Sequence, residues 1–254
     1  MKKSFLFLLI LLLSQWVIAQ KELYDSPVVL YKSQKFGGIG LHTSGLNMHF
    51  SYGKYIDATH IRTFGIEFLN MKHEKERKGY NETFGSQFKD PKGYYFGKVN
   101  SFLILRPSIG QKKIFTKKLR KKGVQLSQSW QTGFSLGFLK PIYLEIINNE
   151  LNYFPIEKYD PDNHTIYDIF GRASVLKGLN ELQFRPGLFY KYGLNFEYAN
   201  GKDYLEGIEA GFTVDLFLNK IKIMAETINK IPAARNKRLF INLYLNFYFG
   251  RKEN

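Results

Sequence analysis

The chain has 254 residues, with 37 Lys and Arg against 22 Asp and Glu, a formal net charge of +15, and no Cys. That length suits one or two domains, and a composition of 44% hydrophobic and 23% charged residues excludes a disordered chain. The lack of Cys excludes a disulfide framework, a Cys-ligated metal, a thiol nucleophile and lipid attachment through an N-terminal Cys. The outlier is aromatic content: 23 Phe, 17 Tyr and 2 Trp, together with 22 Gly, point to an all-β chain.

Residues 1–19 carry the pattern of a cleaved signal peptide. Lys2 and Lys3 give the positive start, residues 5–13 are an unbroken apolar run, and Val17-Ile18-Ala19 offers a cleavage site. The run is too short for a helical span of roughly 20 residues. Residues 20–35 follow as an N-terminal segment expected in the periplasm.

Residues 36–52 hold one long strand or two short ones. Leu46, Met48, Phe50 and Tyr52 oppose Asn47, His49 and Ser51, while Ile39 and Leu41 lie in the other phase. The change of phase at Thr43-Ser44-Gly45 predicts a turn or a bulge. Residues 59–71 form a strand with Phe64, Ile66 and Phe68 against Thr63, Gly65 and Glu67. A charged loop over 72–93 follows, then a strand over 95–109 whose two faces are poorly separated.

The run Lys112, Lys113, Lys117, Lys118, Arg120, Lys121 and Lys122 reads as a solvated hairpin turn. It lacks any nucleic-acid-binding module, so no nucleic acid is expected as a partner. Residues 124–146 then alternate Ser127, Ser129, Gln131, Gly133, Ser135 and Gly137 with Leu126, Trp130, Phe134, Leu136 and Phe138, and Lys140-Pro141 marks the end of an apolar zone. A long loop over 148–180 follows, with a short helix expected over 166–179.

The pattern is cleanest towards the C-terminus. Residues 182–198 place Leu188, Tyr190, Leu194 and Phe196 on one face and Arg185, Lys191, Asn195 and Glu197 on the other. Asn200-Gly201 is a tight-turn signal. The next strand opposes Ile208, Phe212, Val214 and Leu216 to Glu209, Thr213 and Asp215. After a loop over 219–237, residues 238–250 set Leu239, Ile241, Leu243, Leu245, Phe247 and Phe249 against a mixed face with Asn242, Tyr244 and Asn246. Strands of this length with one apolar and one polar face fit a membrane barrel better than a soluble sandwich, which remains an alternative.

These residues together resemble the Gram-negative outer-membrane β-barrel family. The resemblance implies an antiparallel up-and-down transmembrane barrel over 36–250. Eight strands are expected if Thr43-Ser44-Gly45 is a turn, or ten if a loop holds another hairpin. It also implies outer-membrane localisation and a last strand recognised by the barrel insertion machinery through Phe247 and Phe249. The chain departs from the family pattern in the tail, 251–254, that follows the aromatic. Long loops are then external and short turns periplasmic.

On the polar face, Arg185, Lys191, Glu197, Glu209 and Asp215 are expected to pair inside the lumen, since buried charges must be compensated. External Lys220, Lys222, Lys230, Arg235, Lys237 and Arg238 could meet outer-membrane lipid and the phosphates of lipopolysaccharide. His42 and Ser44 share a strand face and form a candidate nucleophile–base pair, with Glu67 a guess for its carboxylate. That pair is similar to the His-x-Ser of outer-membrane lipid A deacylases. No metal-ligand spacing or phosphate-binding loop is present, so no metal or cofactor is expected. The expected role is non-enzymatic: structural, envelope-integrity or surface-interaction work through the external loops, towards an unidentified external or periplasmic partner. A narrow channel or transporter and a lipid-modifying hydrolase are the alternatives.

Overall fold

A computed structural model describes residues 31–81, 91–116, 123–147, 154–198 and 203–253, all within one compact unit. The signal-peptide expectation, the Asn200-Gly201 turn and the basic residues at 117–122 lie outside the described residues.

Eight strands close into one antiparallel barrel. They are β1 (Ser33–His42), β2 (Gly45–Tyr55), β3 (His60–Met71), β4 (Asn100–Thr116), β5 (Gln125–Pro141), β6 (Gln183–Glu197), β7 (Tyr204–Phe217) and β8 (Leu239–Glu253). Each pairs with its neighbours in sequence, and β8 closes on β1. The phase change at Thr43-Ser44 is a two-residue turn, which fixes the count at eight. Closure satisfies every strand edge in the barrel wall, the condition for β structure in hydrocarbon.

The alternation read from sequence becomes an inside and an outside. Gly53, Thr63, Ser129, Lys191, Glu209 and Asn246 point inward and are buried. Ile39, Leu243 and Phe249 point outward with exposures of 64%, 65% and 67%. With them stand Leu41, Met48, Phe50, Ile66, Phe134, Leu188, Phe212 and Ile241, all exposed. On β8 the apolar outer face runs unbroken from Leu239 to Phe249. Those ten steps (249 minus 239), at about 3.3 Å each and tilted roughly 40°, rise about 25 Å, the height of a membrane-facing band. Each such side chain gains about 1.5–3 kcal/mol on leaving water, so a belt of them disfavours the soluble state. At the end bearing the short turns, Tyr52, Tyr198 and Tyr204 ring the belt beside Lys35, Lys54, Arg62 and Arg251.

Several boundaries move. The barrel begins at Ser33 and runs to Glu253, so part of the 20–35 segment and most of the 251–254 tail belong to the wall. Ser33 pairs with Glu253, and Lys35 bridges Glu253 at 2.9 Å. Apolar alternation ends at Phe249 because the next outward residue is at the polar boundary, while the backbone ladder continues. The 95–109 strand is β4, which starts at Asn100 and extends to Thr116. Its faces were blurred because Phe102 and Ile104 point into an apolar layer while Leu103 and Leu105 point outward. Consequently Lys112 leaves the expected turn: it is buried in the lumen, its ammonium 5.3 Å from the Tyr248 ring and 5.9 Å from that of Phe36.

The β5 alternation also stops early, since Tyr143–Ile146 joins a separate three-stranded sheet with Ile156–Lys158 and Ile169–Arg172. The expected helix over 166–179 is therefore replaced by a strand, a run of turns and a single 3-10 turn at Leu179–Glu181. Asp168 accepts from the Thr165 backbone and hydroxyl at 2.8 and 2.7 Å, which fixes a turn where a helix would start.

Gly193 faces the lumen beneath Tyr244, and a Cβ there would run into the Tyr244 hydroxyl and the Glu209 side chain. Overpacking of this kind costs about 1–3 kcal/mol. Gly193→Val is expected to lower the temperature at which the folded, fast-migrating species is lost on a detergent gel; an unchanged transition would contradict this packing.

Candidate functional site

The barrel interior is built in layers. At the end bearing the long loops, Leu69, Met71, Phe102, Ile104, Leu139 and Phe217 form an apolar ring. Into it folds the β7–β8 connection, whose Ile221, Ile223 and Met224 are buried. Phe102 and Phe217 meet edge to face at 5.2 Å, and Phe217 meets Phe240 at 6.0 Å. Asn236 holds the plug in place: its Oδ1 accepts from the backbone of Ile223 at 3.0 Å, and its Nδ2 donates to the Met224 carbonyl at 2.8 Å.

Below the plug lies the ionic layer. Arg106 donates through Nε and Nη2 to both oxygens of Asp215, at 3.0 and 2.5 Å, and through Nη1 to Glu67 at 2.9 Å. Ser135 also donates to Asp215 at 2.7 Å, and the guanidinium lies 5.1 Å from the Phe189 ring. Lys191 bridges Glu67 at 3.6 Å and Glu209 at 3.3 Å, beneath the Tyr244 ring at 4.4 Å. Ser129 donates to Glu209 at 2.7 Å, and Asn47 links Glu67 to Asn246 at 2.5 and 3.0 Å. Nearer the short-turn end, Lys252 meets Glu197 at 2.5 Å, with Gln125 at 3.3 Å. Among the described residues the lumen thus holds four buried cations, Arg106, Lys112, Lys191 and Lys252, and four carboxylates, Glu67, Glu197, Glu209 and Asp215. A void of about 10 Å³ among Phe36, His49, Lys112 and Glu209 is about the size of one water.

Of the expected lumen residues, Lys191, Glu197, Glu209 and Asp215 are buried inside the barrel. Arg185 is not part of the network: it stands near the outer end of β6 and donates to Gln183 at 2.9 Å. Inward alternation placed it correctly by face, but its height puts it at the rim. Glu67 and Arg106, which join the two halves of the network, were not assigned to it from sequence. Arg106 was hidden because β4 lacks clean alternation.

The proposed His42–Ser44 pair does not form. Ser44 sits in the β1–β2 turn, and its hydroxyl donates to Asn242 at 2.6 Å; its backbone N–H, not its hydroxyl, reaches His42 Nδ1 at 3.3 Å. The turn ends the strand geometry that would have put both side chains on one face. Glu67 is committed to Arg106, Lys191 and Asn47. Phe247 and Phe249 both face outward from β8. Among the described residues no helix is long and apolar enough to cross a membrane, and no group of three or more His, Asp or Glu could hold a metal ion.

The long connections pack against one another as a cap over the plugged mouth. Lys98 and Glu76 form a buried ion pair at 2.6 Å. Backbone bonds run from Val99 to Ile223 at 3.0 Å, from Ile142 to Val99 at 3.0 Å and from Ala225 to Gly97 at 2.8 Å. A second apolar core of Tyr94, Leu144, Ile146, Tyr159 and Ile169 underlies the three-stranded sheet. Burial raises the Tyr159 phenol, whose oxygen accepts from the Gly97 backbone at 3.1 Å. On the cap surface, Lys158 bridges Glu181 at 2.7 Å and Tyr143 donates to the same carboxylate. The Lys158 bond, then the Tyr143 bond, hold the Glu181 carboxyl below its ordinary value.

Two predictions follow from this geometry. Arg106→Met leaves Asp215 and Glu67 short of their shared cation in a low-dielectric interior and should cost about 3–5 kcal/mol, read as a lower urea midpoint of the folded barrel; an unchanged midpoint would contradict the network. Glu181 has a depressed folded-state pKa, so its tether is complete above the ordinary carboxylate pKa and fades as pH falls through the lower folded value. Amide protection in residues 156–158 and 179–181, taken relative to intrinsic exchange at each pH, should fall on acidification in the native chain and stay unchanged over that window in Glu181→Gln; equal responses would contradict the assignment.

No known family's sequence profile matches the chain, and no curated protein sequence matches it. Among solved structures, the attachment invasion locus protein of Yersinia pestis, crystallised with the heparin analogue sucrose octasulfate, aligns over 86% of this chain and 97% of its own at 9% identity and a TM-score of 0.40. Neisserial surface protein A aligns over 87% and 94% at 10% identity and a TM-score of 0.37. The N-terminal β-barrel domain of Pseudomonas aeruginosa OprF aligns over 86% and 98% at 9% identity and a TM-score of 0.32.

Proposed function

We propose that this protein is an outer-membrane barrel that acts as a closed, non-enzymatic scaffold, holding a folded cap at the cell surface for structural or surface-interaction work. The observation that carries the reading is the pairing of an outward apolar belt with a filled, charge-balanced lumen. The belt suits hydrocarbon and the closed ladder leaves no edge there. The lumen is obstructed twice, by the plug at Ile221, Ile223 and Met224 and by the Arg106–Glu67–Asp215 layer below it. Eight strands leave an interior that side chains can just fill.

The orientation follows from connection lengths: at one end the sequence stretches after β3, β5 and β7 are long, with the two-residue β1–β2 turn beside them, whereas at the other end those after β2, β4 and β6 are short. Long loops are the external ones in such barrels. Loops held rigidly on a barrel are where binding concentrates, so the cap is the face offered to a partner. Phe247 and Phe249, facing outward near the end of β8, suit recognition by the insertion machinery. The hydrolase alternative loses its support with the separation of Ser44 from His42.

Fractionation with surface protease shaving tests the reading. The protein should follow the outer membrane, migrate differently before and after boiling, and be cleaved only within the cap in intact cells. Recovery in a soluble fraction with no heat-dependent shift would overturn it. In planar bilayers the folded chain should give no stepwise conductance, and Ile221→Ser/Ile223→Ser should still give none because the ionic layer remains. Regular single-channel steps from the native chain would establish the channel alternative instead.

A further inference from the structure

Above the belt, the outward face of the β7–β8 hairpin changes character in register. On the β7 side the outward column reads Leu216, Leu218, Lys220; on the β8 side it reads Ile241, Leu239, Lys237, Arg235. Leu216 pairs with Leu239, and the ladder continues past the strand ends through Phe217 N to Arg238 O and Ile221 N to Lys237 O, each 2.9 Å. Aliphatic side chains therefore give way to cations along one continuous surface.

The cations line a groove of about 590 Å³ with Leu218, Asn219 and Leu239 at its lower side. Leu218 and Leu239 are 73% and 46% exposed, so the groove opens directly onto the belt. Its wall is fixed from behind by buried Asn236 and its bonds to the plug. Lys237 bridges exposed Glu74 at 3.0 Å, whereas Lys220, Arg235 and Arg238 have no carboxylate partner among the described residues. At the opposite rim the cations are mixed with acids: Lys35 is bound to Glu253, and exposed Glu206 stands opposite Phe249.

We infer that this groove is a binding site for the phosphorylated glycolipid of the outer leaflet, lipopolysaccharide, through the phosphates of its lipid A. The acyl chains would lie along Leu216, Leu218, Leu239 and Ile241, and the phosphates would meet Lys220, Arg235, Lys237 and Arg238. A cluster of cations at one point suits a headgroup with more than one phosphate better than a phospholipid with one. Lys222 and Lys230, expected from sequence to share this role, do not line the groove. The inference rests on the membrane reading and on the orientation set by the long loops.

The full chain is folded into phosphatidylethanolamine vesicles carrying bisphosphorylated lipid A, dephosphorylated lipid A or phosphatidylglycerol, and then extracted with mild detergent. Lipid retained per protein is measured by mass spectrometry. Bisphosphorylated lipid A should be retained about tenfold or more over either other lipid, and the excess should fall as salt rises. The K220S/R235S/K237S/R238S variant should lose that excess, while K54S/R62S at the opposite rim should keep it. Equal retention of the dephosphorylated lipid or of phosphatidylglycerol by inserted native protein would overturn the inference, as would loss in both variants alike. A native chain that fails to insert at all would overturn the membrane reading and this inference together.

Discussion

Arg106 is the contact on which the interior depends. Its guanidinium joins Asp215 on β7 to Glu67 on β3, strands on opposite sides of the closed sheet order, and Glu67 passes the connection to Lys191 and Glu209. A buried ion pair of this kind is weak evidence for net stability, because desolvation opposes the Coulombic gain. What the structure shows is that the partners lie far apart in sequence and meet only when the barrel closes with one register. The apolar belt says which face is outward; the ionic layer says which residues must stand opposite one another.

The same arrangement decides what the lumen can do. A solute path needs a continuous polar lining with unoccupied space. Here the polar lining is present, but its central charges, Arg106, Lys191, Glu67, Glu209 and Asp215, bond to one another, and an apolar plug covers the mouth. The plug and the cap form one construction, since Ile223 bonds to Val99 and Asn100 while Asn236 holds both Ile223 and Met224. The side chains that close the lumen also fix the base of the cap.

The fold was legible wherever one face is apolar and outward and the other polar and inward. The β6, β7 and β8 alternation, the phase change at Thr43-Ser44 and the inward placement of Lys191, Glu197, Glu209 and Asp215 all follow from that contrast. Legibility failed where the contrast does. Beside the plug, β4 is apolar on both faces, so Arg106 was hidden and Lys112 was assigned to a turn. At Arg185 the face was right but the height along the barrel was not, because period-two alternation carries no axial coordinate. His42 and Ser44 shared a phase in sequence, yet the turn between β1 and β2 interrupts the strand that would have aligned them. The cap sheet was unreadable because its strands pair across residues 143–172 through short segments with no sustained alternation.

The central claim is that the outward face contacts hydrocarbon. The chain has two Trp, and Trp130 lies on the outer face of β5 with 40% exposure. In a Trp16→Phe chain folded into vesicles, Trp130 is the single indole, and lipids brominated along their acyl chains should quench its fluorescence strongly while aqueous acrylamide does so weakly. Efficient acrylamide quenching with no response to brominated chains would show that this face meets water, and would contradict the membrane barrel.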